Sequence, residues 1–363
     1  MASEWKTYKF EEITVNFDKK RVPLSGAQRK NRHGTYRYYG AQGVIDYIDD
    51  YIFDGTYLLI AEDGENLKSQ KQNIAQIATG KFWVNNHAHI VQGNALCDTR
   101  FLCYLINSMD LSGYVTGSAQ PKLSQANLNS VTVSIPDIAL QKKIVDCLYT
   151  IDKKINNNTL INDNLEQQLE ALYRGIIKDS VAECESVTLD QWCHIFTGKK
   201  NANQFDEDGQ YMFFTCGEKP LRINSYIYDG PAIIISGNGS YTGRTLFYNG
   251  RFDLYQRTYA CTLKDAIPSE YIFGLYAILK IELHSKIAGG THGSSIPYIV
   301  MNDLAKFEFP FNHTEFADFS EKAKTLLTAI QHNQRQNETL SQIRDALLPK
   351  LMSGEIDVAN FDF

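Results

Sequence analysis

The strongest constraint on the fold is that the chain contains one sequence pattern twice. Residues 51–55 read YIFDG and residues 226–230 read YIYDG, an offset of 175 residues. The segments GSAQPKLSQANL (117–128) and GSSIPYIVMNDL (293–304) match at an offset of 176. Blocks that are this far apart and keep nearly one offset indicate a tandem duplication. The apolar run after each YIFDG or YIYDG block predicts a short buried strand that ends in a glycine turn.

Each copy ends in a segment whose apolar residues follow heptad spacing. Steps of four and three residues alternate, which is typical of a coiled-coil seam. Two such segments of matching length in one chain most simply pack on each other, and we predict an antiparallel pair. The seam positions are 144, 148, 151, 155, 158, 162, 165, 169, 172 and 176 in the first copy, and 319, 323, 326, 330, 333, 337, 340, 344, 347 and 351 in the second.

Four of these seam positions are asparagine, and the two copies keep them at the same places. A polar seam residue costs stability but fixes the register and orientation of the helices. A slip would bury unpaired amides at roughly 1–3 kcal/mol each. The alternative is that the asparagines lie on a solvated stretch of helix. The residues predicted to pair the helices are Asn158, Asn162 and Leu165 with Asn333, Asn337 and Leu340.

The ends of the two helices also carry signals. Asp137 is a plausible N-cap for the first helix, which should end near residues 175–179. The second should begin around Thr314, with a kink or a stop at Pro349 and closure by Gly354. About 40 residues at 1.5 Å each predict rods of roughly 60 Å.

Composition and charge are those of an ordinary globular protein. The chain has 363 residues, of which 43% are hydrophobic and 21% charged, with a net charge of −6. Residues 136–185 and 312–363 carry −3 each, so the mixed domains are near neutral. The seven cysteines form no CxxC pair and are interpreted as reduced thiols. With no signal peptide and no apolar run near the roughly 20 residues that span a bilayer, we predict a cytoplasmic location.

One segment of the first copy is strongly basic. Residues 18–37, DKKRVPLSGAQRKNRHGTYR, hold seven basic residues and one acidic residue, with Tyr38 and Tyr39 following. Their Gly, Pro and Asn content predicts a loop. Basic residues interleaved with aromatics are suited to contacts with a phosphate backbone. The second copy has a weaker version, TGKKNANQ (197–204). The alternative is that both are ordinary solvated loops.

The usual marks of catalysis are missing from the sequence. SGNGSYTGRT (236–245) fails the spacing of a phosphate-binding loop, and Arg244 stands where that loop has lysine. His87 and His89 have strand spacing but no further metal ligands nearby in sequence, so an ordinary strand is favoured. There is no GxSxG, no HExxH and no Asn/Asp-Pro-Pro-Tyr/Phe motif of an amino-methyltransferase. We predict a chain that carries out no chemistry and holds no metal or cofactor.

The order of mixed domain, heptad helix, mixed domain and heptad helix resembles a known family. The segments SIPDIALQKKIVDCLYTIDKKI (134–155) and LLPKLMSGEI (347–356), with the GSAQPKL and YIYDG blocks, carry the resemblance. Over nearly its whole length the chain resembles the DNA-specificity subunit of type I restriction–modification enzymes.

The resemblance implies that each mixed domain is a target-recognition domain that reads one half of a split double-stranded DNA sequence. It implies that the helices set the spacer between the halves and dock two methyltransferase subunits, with endonuclease/translocase subunits completing the complex. S-adenosylmethionine, ATP and Mg²⁺ are implied only for those partners. Pseudo-twofold symmetry in the protein then mirrors the two half-sites.

The resemblance and the chemistry of the loops together suggest the DNA contacts. Arg, Gln and Asn are suited to bidentate base contacts, and Lys and Ser more often position the backbone. In the first copy the predicted contacts are Lys19, Lys20, Arg21, Arg29, Lys30, Arg37, Ser118, Gln120 and Lys122. In the second copy they are Lys199, Lys200, Asn201, Arg222, Arg244, Ser294 and Ser295. The thinner basic supply of the second copy leaves the affinity of its half-site in doubt, unless partner subunits contribute contacts.

The predicted fold is α+β, with two mixed target-recognition domains separated by two long antiparallel helices in a pseudo-twofold tandem repeat. The predicted boundaries are residues 1–135, 136–180, 181–311 and 312–356, followed by a tail at 357–363. Two rival functions stay open at this point. A coiled-coil adaptor that binds only proteins would need no basic segment, and a self-contained DNA enzyme would act without partners.

Overall fold

The computed structural model describes residues 4–117, 120–175, 184–288 and 298–359. The chain divides into two compact units. The first unit comprises Met1–Asn156 with Asn337–Phe363, and the second unit comprises Asn157–Gln336. Each unit therefore contains one mixed domain together with one half of each long helix.

The first unit is built around a six-stranded mixed sheet. Its strand order is β2-β7-β5-β6-β3-β4, in which only the β3–β6 pair is parallel. A separate two-stranded sheet joins β1 to β8. The elements are β1 (Lys6–Lys9), α1 (Phe10–Ile13), β2 (Thr14–Asn16), α2 (Gly26–Lys30), β3 (His33–Gly40), β4 (Gly43–Ile48), β5 (Phe53–Ala61), α3 (Asn66–Ser69), β6 (Ala75–Val84), β7 (Ala88–Gly93), α4 (Thr99–Ser108), α5 (Gln125–Ser130), β8 (Thr132–Ile135) and the first half of α6 (Ile138–Tyr173).

The second unit repeats this topology strand for strand. Its sheet order is β10-β15-β13-β14-β11-β12, again with one parallel pair, β11–β14. A two-stranded sheet joins β9 to β16, as β1 joins β8. The elements are β9 (Glu185–Thr188), α7 (Leu189–Trp192), β10 (Cys193–Thr197), β11 (Tyr211–Phe214), β12 (Leu221–Ile223), β13 (Tyr228–Ser236), β14 (Thr245–Leu254), β15 (Thr258–Leu263), α8 (Tyr271–Ala288), α9 (Met301–Ala305), β16 (Glu308–Phe311) and α10 (His313–Met352), which continues into the first unit.

The predicted apolar runs form the central strands of the two sheets. In β5, residues 58–61 are buried on both faces, because strands cover its edges and helix α4 packs on one side. Residues 232–236 of β13 are buried in the same way. The YIFDG and YIYDG blocks lead into these strands, and Gly55 and Gly230 adopt φ values of 133° and 141° that an L side chain rarely takes. The duplication seen in the sequence is thus a duplication of the fold.

Each unit buries helix ends in its main core. In the first unit, Leu351 and Met352 from the end of α10 join Ile144 and Leu148 from the start of α6. In the second unit, the end of α6 and the start of α10 pack together, and the rings of Tyr173 and Phe319 lie 6.0 Å apart. The mixed domain of each unit therefore packs on the helix ends through a shared hydrophobic core. Burial of apolar surface in such a core stabilises the folded state by about 25 cal/mol per Å².

Helices α6 and α10 both begin as the sequence predicts. Asp137 caps α6 by accepting hydrogen bonds from the N–H groups of residues 139 and 140. Helix α10 begins at His313, next to the predicted Thr314, and Asn312 caps it through the N–H groups of residues 314 and 315. Of the two outcomes predicted at Pro349, the stop is wrong, since α10 continues to Met352, and the kink stays a prediction. Pro349 lies in the last turn, and Gly354 with a φ of 74° closes the helix.

Within each unit the two helix halves run antiparallel. In the first unit, Asp152 contacts Arg344 and the carbonyl of Ile155 contacts Asn337, so α6 residue numbers fall as α10 numbers rise. In the second unit, Asn162 contacts Asn333. At the predicted seam positions of the described residues every side chain is buried or half-buried, including Leu165 and Leu340. At 1.5 Å per residue, the 36 residues of α6 give a rod of roughly 54 Å.

Candidate nucleic-acid interface

The seam asparagines form hydrogen bonds between the helices. Asn333 Nδ2 donates to Asn162 Oδ1 at 2.9 Å, and Asn162 Nδ2 donates to the carbonyl of Ile330 at 3.4 Å. Asn337 Nδ2 donates to the carbonyl of Ile155 at 3.3 Å. Asn158, which is fully buried, donates to Gln336 Oε1 at 2.7 Å. The two helices are therefore aligned by amide contacts that a shift of register would break.

The basic segment 18–37 has regular structure, contrary to the predicted loop. It contains a 3-10 turn at Asp18–Lys20, the short helix α2 and the start of β3. Ser25 and Gln28 form a reciprocal capping box that starts α2, a signal that the Gly and Pro content masked. The backbone positions of the basic residues in these elements are therefore set by regular structure.

Arg21 is committed to the interior of the first unit. Its guanidinium bonds Glu62 Oε2 at 2.7 Å and the carbonyl of Ala88 at 2.9 Å, and it lies 3.5 Å from Asp18 Oδ2. Only 16% of the side chain is exposed. These contacts give Arg21 a structural role within the first unit. The DNA contact predicted for Arg21 stays a prediction.

Asp18 and His89 form a buried pair beside Arg21. His89 Nδ1 lies 2.6 Å from Asp18 Oδ2, and the Ile90 N–H donates to Asp18 Oδ1 at 2.8 Å. Burial alone raises the pKa of Asp18, but the contacts with His89, Ile90 and Arg21 outweigh it and lower the pKa below 3.8. The pKa of Glu62 is likewise lowered, because Arg21, His89 and Lys122 outweigh its burial. Both carboxyl groups are therefore ionised at neutral pH.

Arg29 and Arg37 are also engaged by neighbouring strands. Arg29 bonds Asp46 Oδ2 at 2.9 Å and lies over the ring of Tyr38. Arg37 donates to the carbonyl of Thr79 at 2.8 Å. Both side chains are half-buried. The predicted contacts of the first unit that are exposed at the surface are Lys19, Lys20, Lys30, Gln120 and Lys122.

The second unit distributes its predicted contacts in a similar way. Lys199, Asn201 and Arg222 are exposed, and Lys200 is half-buried. Arg244 is held by the carbonyls of residues 217 and 218 and lies over the ring of Tyr241, so its charge is partly internal. The structure brings Lys200 next to the start of β15, where its carbonyl accepts from the Gln256 N–H at 3.0 Å. Ser118, Ser294 and Ser295 lie outside the described residues.

Both units carry a cluster of two tyrosines and a cation that the sequence analysis missed. In the second unit, Tyr211 and Tyr226 lie 5.1 Å apart, and the Arg251 guanidinium lies 5.1 Å from the Tyr226 ring. Arg251 also pairs with Asp229 at 2.9 Å. Such cation–aromatic contacts stabilise a side chain while leaving its charge at the surface.

The first unit has the same cluster at the equivalent positions. Tyr36 and Tyr51 lie 5.1 Å apart, and Lys81 Nζ lies 4.5 Å from the Tyr51 ring. Asp54 is the strand partner of Lys81, as Asp229 is of Arg251. The hydrogen bond to Tyr51 raises the pKa of Lys81, which keeps it cationic. The first tyrosine of YIFDG and of YIYDG belongs to these clusters. The repeated block was therefore the sequence signal that could have located them.

The exposed basic side chains of the two units are suited to binding anions. In the part of the chain that the structure describes, no group of three His, Cys, Asp or Glu side chains is placed to hold a metal ion. No described helix combines the length and apolar character that a bilayer crossing requires. Exposed lysines and arginines, with aromatic neighbours, are instead found on both units, as contacts to phosphate groups need.

Comparisons with known proteins agree with this architecture. The family profile described as type I restriction modification DNA specificity domain matches residues 2–167 and again 182–338. A putative type I restriction enzyme specificity subunit of Haemophilus influenzae is 27% identical over 306 residues, which cover 76% of this chain and 77% of that protein. The EcoDI specificity subunit of Escherichia coli is 36% identical over 177 residues, covering 47% of this chain and 38% of that protein.

A solved structure shows the same fold. The crystal structure of the S subunit of a type I restriction–modification system from M. genitalium matches with a TM-score of 0.72 and 13% identity, over 96% of each chain. Together, the fold comparison and the two profile matches cover the two sheets, the long helix α6 and the helix α10. Because the profile matches both copies and most of the sequence, the chain belongs to the family of type I restriction–modification DNA specificity subunits, the non-catalytic component of these systems.

Proposed function

We propose that this chain selects a split double-stranded DNA sequence for a type I restriction–modification complex, with each unit reading one half. The observation that carries the proposal is the repetition of one six-stranded topology, with the same Tyr–Tyr–cation cluster and an exposed cation in each, in two units that share a pair of helices. A duplicated reader is what a site with two half-sites requires.

The helix pair has the properties of a spacer. Half-sites that face the same side of B-DNA lie one turn, or about 34–36 Å, apart. Helices of roughly 54–60 Å are long enough for that separation. The amide contacts of Asn162 with Asn333, and of Asn337 with the Ile155 carbonyl, oppose sliding of one helix along the other. In this proposal the helices fix the number of base pairs that are not read.

The remaining parts of the complex come from other chains. We expect two methyltransferase subunits to dock on the helices and endonuclease/translocase subunits to join them. S-adenosylmethionine would bind to the methyltransferase, and ATP and Mg²⁺ to the endonuclease/translocase. This chain then contributes base selection and spacing, and no cofactor chemistry. The predicted location of the assembly is the cytoplasm, where its DNA substrate lies.

The proposal is tested by mapping methylated adenines in the host genome with and without this gene. We expect methylation at one split sequence that disappears when the gene is deleted and returns when it is restored. In the control, the methyltransferase is catalytically intact and this chain is absent. Any methylation that remains there needs no specificity subunit. Unchanged methylation after deletion would contradict the proposal.

A binding measurement separates the proposal from the adaptor alternative. The chain, purified with its methyltransferase, should bind a duplex that carries the mapped sequence, and the affinity should fall steeply as salt rises, because phosphate contacts release counterions. A protein-binding adaptor would bind the same methyltransferase but would show no preference for that duplex.

A further inference from the structure

One backbone contact is repeated in the two units but is made by different side chains. In the first unit, His89 Nε2 donates to the carbonyl of Leu123 at 2.8 Å. In the second unit, the Tyr259 hydroxyl donates to the carbonyl of Ile299 at 3.0 Å. His89 pairs in register with Ile60, and Tyr259 pairs with Ile235, which lies 175 residues after Ile60. The two side chains therefore occupy the same place in the repeated sheet.

The residues that accept these bonds are equivalent as well. Leu123 and Ile299 are 176 residues apart, the offset of the two GS-containing segments. The Leu123 N–H donates to the Glu62 carbonyl and the Ile299 N–H donates to the Gly237 carbonyl, both at 2.8 Å. Each residue is thus held on both sides, by a backbone bond from its N–H and by a side chain at its carbonyl.

The preceding residues point their side chains the other way. Lys122 is exposed, and its backbone forms an isolated β-bridge with Asp63. Tyr298, with 37% exposure, forms the equivalent backbone β-bridge with Asn238. Leu123 and Ile299 are buried. Because neighbouring residues in extended chain face opposite sides, fixing the buried residue fixes the direction of the exposed one. We call the pairs 122–123 and 298–299 the return segments.

The two contacts differ in their neighbours. In the first unit His89 Nδ1 lies 2.6 Å from the Asp18 carboxyl group, while His89 Nε2 bonds the carbonyl of Leu123. Glu62 Oε2 lies 3.9 Å from His89 Nδ1 and is bonded to Arg21. The other oxygen of Glu62 pairs with Lys122. In the second unit Thr197 stands opposite Tyr259, in the place that Asp18 has opposite His89. Its hydroxyl donates to backbone carbonyls instead.

We propose that His89 and Tyr259 are positioning residues for DNA recognition, and that each aims the exposed residue of its return segment, Lys122 or Tyr298, at one half-site. The inference rests on the proposed function and adds to it the residues that orient the readers. The first unit uses a histidine that is paired with an aspartate for this purpose and the second a tyrosine hydroxyl, so each can be altered without touching the other.

The structure supplies matched variants that differ by one hydroxyl group. Tyr259→Phe removes only the donor of the second unit. In the first unit, Asp18→Thr with His89→Tyr transplants the residues of the second unit, and Asp18→Thr with His89→Phe is the same protein without the hydroxyl. Each variant is expressed as the full chain with the host methyltransferase, and methylated adenines are mapped together with sites that differ by one base in either half.

Tyr259→Phe should lower discrimination at one half-site by about 3- to 10-fold, the effect of losing one hydrogen bond. The His89→Phe double variant should do the same at the other half-site, and the His89→Tyr double variant should restore it. The thermal unfolding temperature of each variant should stay close to that of its matched partner. If these residues had only a structural role, discrimination would not be lost at one half-site alone while stability is kept.

Two results overturn the inference while the proposed function stands. One is that the hydroxyl-deletion variants discriminate at both halves as the wild type does. The other is that both halves lose discrimination equally, which identifies a general loss of stability. If the wild-type chain directs no sequence-specific methylation, the proposed function itself fails and the positioning role fails with it.

Discussion

At the scale of single residues, two buried polar side chains, those of Asn162 and His89, are held by hydrogen bonds. Asn162 is 9% exposed and His89 is 1% exposed, yet both are bonded to partners far away in sequence. A buried donor or acceptor that loses its partner costs about 1–3 kcal/mol, more than the bond contributes when both partners are present. The effects of single and paired substitutions should therefore differ sharply.

Asn162→Ala should destabilise the chain by about 1–3 kcal/mol, because it leaves the amide of Asn333 without its acceptor. Replacing Asn162 and Asn333 together by Leu should recover most of this loss, since no buried amide is then unpaired. Urea denaturation followed by circular dichroism measures both. Equal destabilisation by the single and the double substitution would show that the amide pair is not the cause.

The buried Asp18 predicts a dependence of stability on pH. Its pKa is lower in the folded chain than the ordinary 3.8, because its contacts with His89, Ile90 and Arg21 outweigh burial. The folded state therefore gains stability from the ionised carboxylate at pH values above 3.8, and this gain is lost as pH falls below 3.8 through the lowered pKa.

Thermal unfolding across that acidic range should show a smaller loss of stability for Asp18→Asn than for the wild type. The amide introduced by this substitution cannot titrate, but it keeps the size of the side chain. Asp318→Asn, on an exposed part of α10, is the control and should follow the wild type. If Asp18→Asn loses stability as steeply as the wild type does, other carboxyl groups dominate the acid response.

At the scale of elements, the long helices were predictable and the buried ion network was not. Heptad spacing fixes which face of each helix is apolar, and the seam positions are covered accordingly. The Asp18–His89 and Arg21–Glu62 contacts join residues 71 and 41 positions apart. No local pattern marks such pairs, because they depend on strands β5 and β7 lying side by side. Pro349 removes one backbone donor from α10, but the helix continues for three residues beyond it, so the predicted stop does not occur.

Lengthening both helices tests their role as a spacer. A heptad inserted after Asn156 and another after Gln336, at the boundaries between the units, keeps the seam in phase and adds about 10.5 Å. Methylation mapping should then find the same half-sites separated by about 3 additional base pairs, at roughly 3.4 Å per base pair.

Insertion of five residues at the same two places is the matched control. Five residues turn each helix by about 140° beyond a whole turn, so the insertion moves the seam out of phase, exposes apolar residues and should abolish specific methylation instead of changing the spacer. Recognition of altered bases, with the spacer unchanged, would rule out the helices as the element that sets the distance.

At the scale of the whole molecule, the two units are copies of one topology that present different side chains at equivalent positions. Arg251 and Lys81 occupy the same position in the two sheets, yet one is a guanidinium and the other an ammonium. A guanidinium can bond bases or phosphates through a planar fork, and an ammonium acts as a point charge. The copies thus keep the scaffold and vary the groups that it presents.

Arg251→Ala and Lys81→Ala should each weaken binding to the mapped duplex and reduce the slope of log K against log salt by about 0.9, as expected for one lost phosphate contact. Lys322→Ala is the control, because Lys322 pairs with Asp318 on the surface of α10 much as Arg251 pairs with Asp229. An unchanged slope for both cluster variants would remove these clusters from the interface.

The division of the chain into units has a consequence for its synthesis. The first unit needs residues from both ends of the chain, since Leu351, Met352 and Val358 belong to its main core and Lys143 bonds the carbonyl of Ala359. A ribosome has to translate past Val358 before that core can close, so the part that emerges first is completed last. Prematurely terminated chains would leave the apolar surface of that core uncovered and would become substrates for proteases.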